Sequence, residues 1–315
     1  MHEESPKNNL LFHHEDFITL FNHTCTFRQE SDYPITSQYL SSLKELQKPP
    51  VMNFTEKESL GLASSIFLQS GCNPPSDRDA YVHELMKHLR VDSYGQCLKN
   101  KELPAHLKSP LTMHDHSLRD FVGRYKFALT FENAICKDYI TEKLWRPLAA
   151  GAIPVYKGAP NVLEWTPDNH SVILVDDFES PQHLADFLNK LAKNETEYNK
   201  YLSYKKKEIA NQRLIEHLKN RPWGVNDFYK MSFITGFECF VCDQIHRNRK
   251  LKKQGKRTND YISNAEHYGC PVPLKYAYAT PPGSEDWERD AWNYEYDDAK
   301  YKAKVLRERV FGNSG

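Results

Sequence analysis

The chain has 315 residues, 39% of them hydrophobic, and its 42 basic and 42 acidic residues cancel to a formal charge of zero. This length fits one large domain or two ordinary ones, and the 12% aromatic content argues against disorder. The balanced charge gives no reason to expect a nucleic acid or an acidic membrane as a partner. No apolar run approaches the roughly 18 residues of a membrane span, and no signal peptide opens the chain.

Cysteines and glycosylation sequons bear on the compartment of the protein. The chain has seven cysteines, so at least one has no partner within it. Four Asn-x-Ser/Thr sequons are candidate N-glycosylation sites, at Asn22, Asn53, Asn169 and Asn194. Both features favour a secretory compartment, whereas the missing signal argues against one. Loss of an N-terminal anchor from the chain would resolve the conflict.

The first 95 residues predict a strand-helix-strand unit after an irregular start. Apolar runs and turn residues predict a strand at 17–21, helical turns at 39–46, a linker at 48–53, a strand at 60–69, a helix from 76 to 90 and a strand at 91–95. The last three of these elements form the unit.

A second unit of the same kind follows in the middle of the chain. Its predicted elements are a buried strand at 125–131, a helix that starts at Asp138 and ends at Gly151, and a strand at 152–156. Ile140, Leu144 and Leu148 recur at helical spacing within it. This order favours a right-handed crossover between two parallel strands.

The alternation continues before the last third changes character. The sequence predicts a strand at 172–175, a helix from 180 to 193 and a long charged helix from 195 to 215. The pattern from 60 to 193 therefore indicates a doubly wound α/β domain. Residues 247–257 are strongly basic, which favours a solvated loop over a nucleic-acid patch because aromatics are not interleaved. Residues 258–315 are charged and rich in tyrosine, with little apolar periodicity.

Polar residues gather where the central strand meets its helix. They are Glu132, Asn133, Lys137, Asp138, Tyr139, Thr141, Glu142 and Lys143. Ligands of open parallel sheets bind at the carboxyl ends of strands, beside helix N-termini. A phosphate-rich ligand could sit near Asp138, where Lys143 and Arg146 add full positive charges. The chain has no G-x-G-x-x-G and no Walker motif, so a Rossmann dehydrogenase or P-loop NTPase is disfavoured.

Two other patterns are candidates for a metal or redox site. Cys239 and Cys242 form a Cys-x-x-Cys pair that could be half of a zinc site, a redox pair or a disulfide element. The disulfide is favoured because no second pair stands at suitable spacing. The acidic doublets at 176–177 and 297–298 do not predict a metal site, because one lies at a strand end and the other in the charged tail.

The central stretch resembles a known enzyme family. Residues 131–134, 137–145 and 151–156 read FENA, KDYITEKLW and GAIPVY, which look like the α-1,3-fucosyltransferase signature of glycosyltransferase family 10. Segments at 4–6, 91–95 and 238–242 extend the resemblance, and those at 3–9, 91–97 and 223–227 look most like the vertebrate branch numbered ten and eleven. It covers roughly residues 3–245, and the tail beyond is weakly similar at best.

The resemblance implies a GT-B architecture, in which two Rossmann-like domains face each other across a cleft. It divides the chain into a remnant of the acceptor-side domain at 1–50, a complete GDP-fucose-binding domain at 58–235, and a segment at 236–315 that holds the Cys-x-x-Cys pair and the charged tail. The acceptor domain would be only partly present, because the chain starts at the Glu-Ser-Pro segment. The full-length form would be a type II membrane protein of the Golgi or endoplasmic reticulum lumen.

The same resemblance assigns roles to individual residues. Lys143 and Arg78 match positions that neutralise the GDP leaving group, and Glu142 matches the residue that holds nucleotide hydroxyls. Asn133 and Tyr139 match positions that contact the donor. Glu4 matches the proposed general base, with Glu3 as its adjacent decoy. No cofactor or metal is obligatory.

Simpler explanations stay open for these residues. Glu142 and Lys143 could be ordinary exposed helix charges, and Tyr139 could be a core residue. Arg78 could pair with Asp77 or Glu84.

The predicted reaction is inverting transfer of L-fucose from GDP-fucose to a glycoprotein acceptor. The main prediction is α-1,3 transfer to N-acetylglucosamine of N-glycans, and the close alternative is protein O-fucosylation of Ser or Thr on a folded module. A truncated product that binds nucleotide sugar without catalysis, and a nucleic-acid-binding protein led by residues 247–257, are rivals from other classes. No nucleic acid is expected as a partner.

Overall fold

The computed structural model describes residues 1–109, 116–259 and 261–312. The strands in these ranges are β1 (Ser65–Gln69), β2 (Val91–Gly95), β3 (Phe127–Phe131), β4 (Ile153–Lys157) and β5 (Ile173–Leu174). The helices are α1 (Glu15–Ile18), α2 (Leu43–Gln47), α3 (Phe54–Ser59), α4 (Arg78–Leu85), α5 (His116–Val122), α6 (Glu142–Ala150), α7 (Pro181–Leu191), α8 (Glu195–Lys200), α9 (Gln212–Asn220), α10 (Phe233–Lys253) and α11 (Asp286–Phe311). None of these described helices combines the length and apolar character that crossing a membrane requires.

The five strands form one parallel sheet in the order β2-β1-β3-β4-β5. The predicted α/β class with a parallel sheet is therefore confirmed. The chain runs outward from β1 to β2 and then returns to β3 on the other side of β1, so the strand order reverses between β1 and β3. Ligands of such sheets bind outside the carboxyl ends of the strands at this switch point.

Alternate residues of the strands enter two separate buried clusters. Ile66 of β1 and Ala128 of β3 pack with α5, on one face of the sheet. Their neighbours Phe67 and Phe127 belong to the larger cluster, which includes residues of α4, α6 and α7. The period of two follows from strand geometry, and burial on both faces explains why the strands read as continuous apolar runs.

Several predicted elements are wrong in type or extent. Residues 17–21 are no strand, because Phe17 and Phe21 pack against Phe12 in an aromatic group that includes α1. The helix predicted at 195–215 is interrupted between α8 and α9, where a short 3-10 turn lies at Ser203–Lys205. The basic run at 247–257 is mainly helical, because α10 continues to Lys253 before Gly255 adopts a positive φ. The tail contains the 26-residue helix α11, whose buried stripe is narrow and rests on Arg289, Ala299 and Ala303.

The predicted disulfide element at Cys239 and Cys242 is also wrong. Both are exposed free thiols on α10, and the only other free cysteine of the described chain, Cys25, is buried. The bonds that form join Cys72 to Cys97 and Cys136 to Cys270. Neither bond includes Cys239 or Cys242.

The ends of the chain pack together beside the sheet. Helix α11 lies against α1 and the short 3-10 turn Leu10–His13. Arg289 of α11 forms a buried bidentate ion pair with Asp77, at 2.8 and 2.6 Å. The predicted boundaries at 1–50, 58–235 and 236–315 stay a prediction, and residues 110–115, 260 and 313–315 lie outside the described ranges.

Two buried lysines hold the C-terminal end of α6, the helix that carries Glu142 and Lys143. Lys57 Nζ donates to the carbonyl of Gly151 and to the Tyr198 hydroxyl. Lys205 Nζ donates to three carbonyls, one of them Ala149 of α6. Their N–H groups satisfy backbone carbonyls at the end of the helix that have no partner within it. The position of α6 relative to the sheet is thereby restrained.

The loop between β3 and α6 is anchored by the fully buried carboxylate of Asp138. It accepts hydrogen bonds from Asn161 Nδ2 at 2.8 Å, Trp165 Nε1 at 3.1 Å and the backbone and side chain of Gln29 at 3.3 Å. Arg28 Nε lies 3.6 Å away. Asp138 has a φ of 63° and lies in the loop, not at the start of the helix as predicted. Helix α6 instead begins at Glu142.

We expect Lys57→Met to remove part of the pH dependence of stability. Burial first, and then the cations Lys205 and Lys126, lower the pKa of Lys57 from 10.5 to about 7. The unfolded chain keeps the lysine proton across this window and the folded chain releases it, so the free energy of unfolding rises with pH from about 7 to about 10. Urea unfolding near pH 7 and pH 9 should show a slope lower by up to about 1.4 kcal/mol per pH unit in the variant.

The control for this measurement is Lys200→Met, which removes an exposed lysine paired with Glu197. It should keep the wild-type slope. A Lys57→Met protein whose stability changes with pH as the wild type does would contradict the expectation.

Asp138→Asn should lower the free energy of unfolding by about 3 kcal/mol. The amide places an NH₂ group against donors that now share a carboxylate, and it removes the charge that faces Arg28. Thermal and urea unfolding measure the change. Asp186→Asn, at an exposed position of α7, is the matched control and should change stability little. Equal stability of the two variants would contradict the anchoring role.

Candidate active site

Lys143 lies in a compact cluster of charges at the N-terminus of α6. Thr141 caps the helix, and its backbone N–H and hydroxyl donate to the fully buried carboxylate of Glu132 at 2.9 Å. Lys143 Nζ lies 3.3 Å from Glu132 and 3.5 Å from Glu142. The cluster places a lysine ammonium at the carboxyl end of β3, where the sheet topology predicts a ligand.

The pKa values of the cluster follow from burial and mutual charge. Burial raises the pKa of Glu132, and the nearby Glu142 adds to this, although Lys143 opposes it. Burial also acts against ionised Glu142, but Lys143 and Arg146 lower its pKa to about 2. Burial acts against charged Lys143, yet Glu132 and Glu142 raise its pKa above the ordinary value. Lys143 and Glu142 are therefore both charged at neutral pH.

Arg78 is buried at the first residue of α4. Its Nη1 donates to the carbonyl of Phe131 at 2.9 Å and its Nη2 to that of Gly71 at 2.8 Å. It therefore spans the carboxyl ends of β1 and β3. The ion pairs with Asp77 or Glu84 that the sequence left open do not form, because Asp77 binds Arg289 and Glu84 binds Lys87.

The Arg78 side chain has one nitrogen without a hydrogen-bond partner among the described residues. Its Nε lies 3.8 Å from Asp79 Oδ1, and neither atom has a hydrogen bond within the described ranges. Burial lowers the pKa of Arg78 while Asp79 and Glu132 act in the opposite direction. The guanidinium stays a charged group beside the switch point.

Glu4 reaches this region from the N-terminal segment. The Tyr139 hydroxyl donates to Glu4 Oε2 at 2.8 Å, and the Tyr268 hydroxyl donates to the Glu4 carbonyl at 2.7 Å. A hydrogen bond of 2.8 Å also joins His2 Nδ1 to that carbonyl. Burial, with Glu132 and Glu4, raises the pKa of Tyr139 well above its ordinary value, so Tyr139 keeps its proton and acts as a donor. The candidate base is thus held at its backbone and at its side chain.

The structure brings the predicted residues to one edge of the sheet. Asn133 lies in the β3–α6 loop, its carbonyl accepts from the Ser76 N–H at 3.1 Å, and its buried Oδ1 has no partner among the described residues. Glu142 and Lys143 are largely buried in the charge cluster, so they are not ordinary exposed helix charges. Tyr139 is a core residue whose hydroxyl is nevertheless used at the site.

Four residues at the site have roles that the sequence does not predict. Glu132 belongs to the polar turn, but the sequence does not show that it is the counter-charge of Lys143. No prediction includes Lys7, Tyr268 or Arg289. Lys7 stands three residues after Glu4, which was a usable signal. Tyr268 and Arg289 lie in the charged tail, where no local pattern pointed to the site.

One side-chain group has the spacing of a metal site within the described ranges. It consists of Cys72, Asp79 and Cys97. The two cysteines form a disulfide with each other, so they offer no thiolate to a metal ion. The cationic side chains at the edge of the sheet instead suit an anionic ligand.

Comparisons with known proteins find relatives over nearly the whole chain. The profile of glycosyltransferase family 10 (fucosyltransferase), C-terminal part, matches residues 60–261. The curated relative GDP-fucose protein O-fucosyltransferase 3 of Xenopus laevis is 45% identical over 316 residues, which cover 99% of this chain and 67% of the relative. The human protein of the same name is 44% identical over 313 residues, which cover 97% of this chain and 65% of the relative. The chain spans about two thirds of the length of these relatives.

Solved structures give a weaker likeness. The crystal structure of an α1,3-fucosyltransferase with GDP-fucose is 18% identical, covers 78% of this chain and 72% of that chain, and has a TM-score of 0.47. The curated relatives align over the tail as well, so the predicted limit of the resemblance near residue 245 is wrong. The tail is part of the folded unit because α11 packs on the N-terminal segment. The chain belongs to glycosyltransferase family 10, the fucosyltransferase family.

Proposed function

We propose that this protein binds GDP-fucose at the carboxyl edge of its sheet and transfers fucose, with inversion, to a Ser or Thr hydroxyl of a folded protein. The observation that carries the proposal is the meeting of Glu4 with Tyr139 beside the cations Lys143 and Arg78. A base on one side and positive charge on the other are what such a displacement requires.

The donor half of the reaction uses the cations. When the bond between the anomeric carbon and the phosphate oxygen breaks, its electron pair leaves with GDP and negative charge grows on the diphosphate. Lys143 and Arg78 neutralise that charge, so no metal ion is needed in this proposal. Ionised Glu142 accepts hydrogen bonds from ribose hydroxyls, and the unpartnered carboxamide oxygen of Asn133 is available to a donor group.

The acceptor half uses Glu4. Its carboxylate takes the proton of the acceptor hydroxyl while the hydroxyl oxygen attacks the anomeric carbon on the face opposite the diphosphate. Tyr139 was predicted to contact the donor, but its hydroxyl binds Glu4 Oε2, so we assign it to positioning the base. A hydrogen bond to the charged carboxylate restrains the side chain in one orientation.

The relatives favour a protein acceptor over a glycan. They are named GDP-fucose protein O-fucosyltransferase 3 in Xenopus laevis, zebrafish and human alike. The main prediction from the sequence, α-1,3 transfer to N-acetylglucosamine of N-glycans, has weaker support than its alternative. Protein O-fucosylation of a folded module is therefore the acceptor chemistry that we propose.

The GT-B arrangement and the compartment belong to the same proposal. We place the protein in the lumen of the Golgi or endoplasmic reticulum, where disulfides form. Two disulfides and the exposure of all four sequon asparagines, Asn22, Asn53, Asn169 and Asn194, support this placement. A second Rossmann-like domain and a membrane anchor in a longer form stay predictions from the family resemblance.

Two alternative functions predict different binding behaviour. A non-catalytic nucleotide-sugar-binding product would bind GDP-fucose without transfer. A nucleic-acid-binding protein would rely on the basic, exposed end of α10. The ordered base Glu4 favours catalysis over the first rival, and the zero net charge disfavours the second.

Lys143→Ala should weaken GDP binding by tenfold or more, about 1.4 kcal/mol. The variant removes a charge that faces the diphosphate. Isothermal titration calorimetry with GDP and GDP-fucose measures the change, with thermal unfolding as a check that the charge cluster around Glu132 still folds. Lys87→Ala, an exposed lysine of the α4 end, is the matched control and should bind as the wild type. Equal affinity of Lys143→Ala and wild type would refute the phosphate role.

Glu4→Gln should lower fucose transfer at least a hundredfold while donor affinity stays within about twofold. The amide keeps a hydrogen bond to Tyr139 but cannot take the acceptor proton. Glu3→Gln, the exposed neighbour, is the control and should keep transfer.

The acceptors for this assay are a folded Ser/Thr-bearing module, the same module unfolded by reduction, and an N-glycan ending in N-acetylglucosamine. Transfer to the folded module alone supports the proposal. Transfer to the glycan alone would restore the α-1,3 prediction, and donor binding without any transfer would favour the non-catalytic rival.

A further inference from the structure

Lys7 is held on a rigid piece of backbone three residues after Glu4. It lies in the 3-10 turn Pro6–Asn8, where the Ser5 side chain accepts from the Lys7 N–H at 3.3 Å. Ser5 and Pro6 are buried, and the Asn9 N–H donates to the Pro6 carbonyl at 2.9 Å. The position of the Lys7 backbone is therefore set by the fold.

The ammonium of Lys7 lies over Gly71, at the carboxyl end of β1. A Cβ atom placed on Gly71 would be only 2.8 Å from Lys7 Nζ, so the ammonium lies close to the Gly71 backbone. The carbonyl of the same glycine accepts a hydrogen bond from Arg78 Nη2. Lys7 and Arg78 thus reach the switch point from different segments of the chain and meet at Gly71.

Lys7 differs from the other cations of the site in its partners. Lys143 Nζ pairs with Glu132 and Glu142, and Arg78 donates to two backbone carbonyls. Within residues 1–109, 116–259 and 261–312, Lys7 Nζ has neither a hydrogen bond nor an ion pair. Burial and then Arg78 lower the pKa of Lys7, while Asp79 and Glu4 act in the opposite direction.

We infer that Lys7 is a further donor-binding residue whose ammonium contacts the diphosphate of the nucleotide sugar. This inference rests on the proposed function. Asp79 and Glu4 lie near enough to favour the charged form of Lys7, but neither forms an ion pair with its Nζ among the described residues. A nucleoside diphosphate would supply the close anionic contact that Lys7 lacks, whereas an acceptor hydroxyl is neutral and would not.

The placement gives the segment at 4–7 two roles. Glu4 takes the acceptor proton, and Lys7 binds the leaving group from the same short stretch of chain. Contact of the donor with Lys7 therefore restrains this segment further, with Glu4 on it. The base then stands at a defined distance from the anomeric carbon before the acceptor arrives.

The test compares ligands that differ only in phosphate. Lys7→Met should weaken GDP binding about tenfold, while affinity for guanosine, measured by saturation-transfer NMR, stays unchanged. Lys7→Arg keeps the charge and should bind GDP within about threefold of wild type. Lys87→Met, which removes an exposed lysine, should bind both ligands as the wild type. Raising the salt concentration should weaken GDP binding less in Lys7→Met than in wild type, because one charge contact is gone.

The possible results separate this inference from the proposed function. A tenfold loss that is specific to GDP supports the inference. GDP affinity within twofold of wild type, or an equal loss for GDP and guanosine, overturns it and leaves the proposed function standing. A wild-type chain that binds neither GDP nor GDP-fucose overturns the proposed function and this inference together.

Discussion

The carboxylate of Asp138 is the constraint on which the geometry of the site depends. A buried carboxylate is costly unless its oxygens are satisfied, and here the donors come from two distant stretches, at 28–29 and 161–165. The loop after β3 can take its conformation only when all of these stretches are in place. That loop carries Tyr139, which binds Glu4, and it leads into Thr141, which caps α6. One buried charge thereby links the position of Glu4, the proposed base, to the position of the cations.

The C-terminal part of the chain supports both halves of the site from outside. Arg289 binds Asp77 next to Arg78, and the turn at 73–79 includes two residues with positive φ, Asn73 and Asp77, that need such support. The disulfide from Cys136 to Cys270 ties the β3–α6 loop to the stretch that contains Tyr268. Residues beyond 261, where the family profile ends, therefore hold residues within it.

Two cations of the site, Lys143 and Arg78, already have partners within the protein before a ligand binds. Lys143 keeps its proton because the carboxylates of Glu132 and Glu142 lie beside it. Glu142 stays ionised because the charges of Lys143 and Arg146 lower its pKa. Such pairing limits the cost of burying charge before a ligand arrives. A diphosphate that enters must compete with Glu132 and Glu142 for Lys143, whereas Lys7 Nζ forms no ion pair with a described residue. In the proposed mode of donor binding, Lys7 therefore meets less competition from carboxylates than Lys143 does.

The sequence by itself determined the parallel α/β sheet, the helix that starts after Ser180 and the family, because strand runs, caps and a contiguous motif are local features. It also selected Glu4, Tyr139 and Lys143, though on resemblance rather than on contacts. Only the tertiary structure decided that Tyr139 binds Glu4, 135 residues away in the chain, and that the cysteines pair as Cys72–Cys97 and Cys136–Cys270. The tail was misjudged because α11 buries little more than two alanines and an arginine, which leaves no apolar period to detect. Contacts between residues far apart in sequence depend on how the whole chain packs, and no local pattern records them.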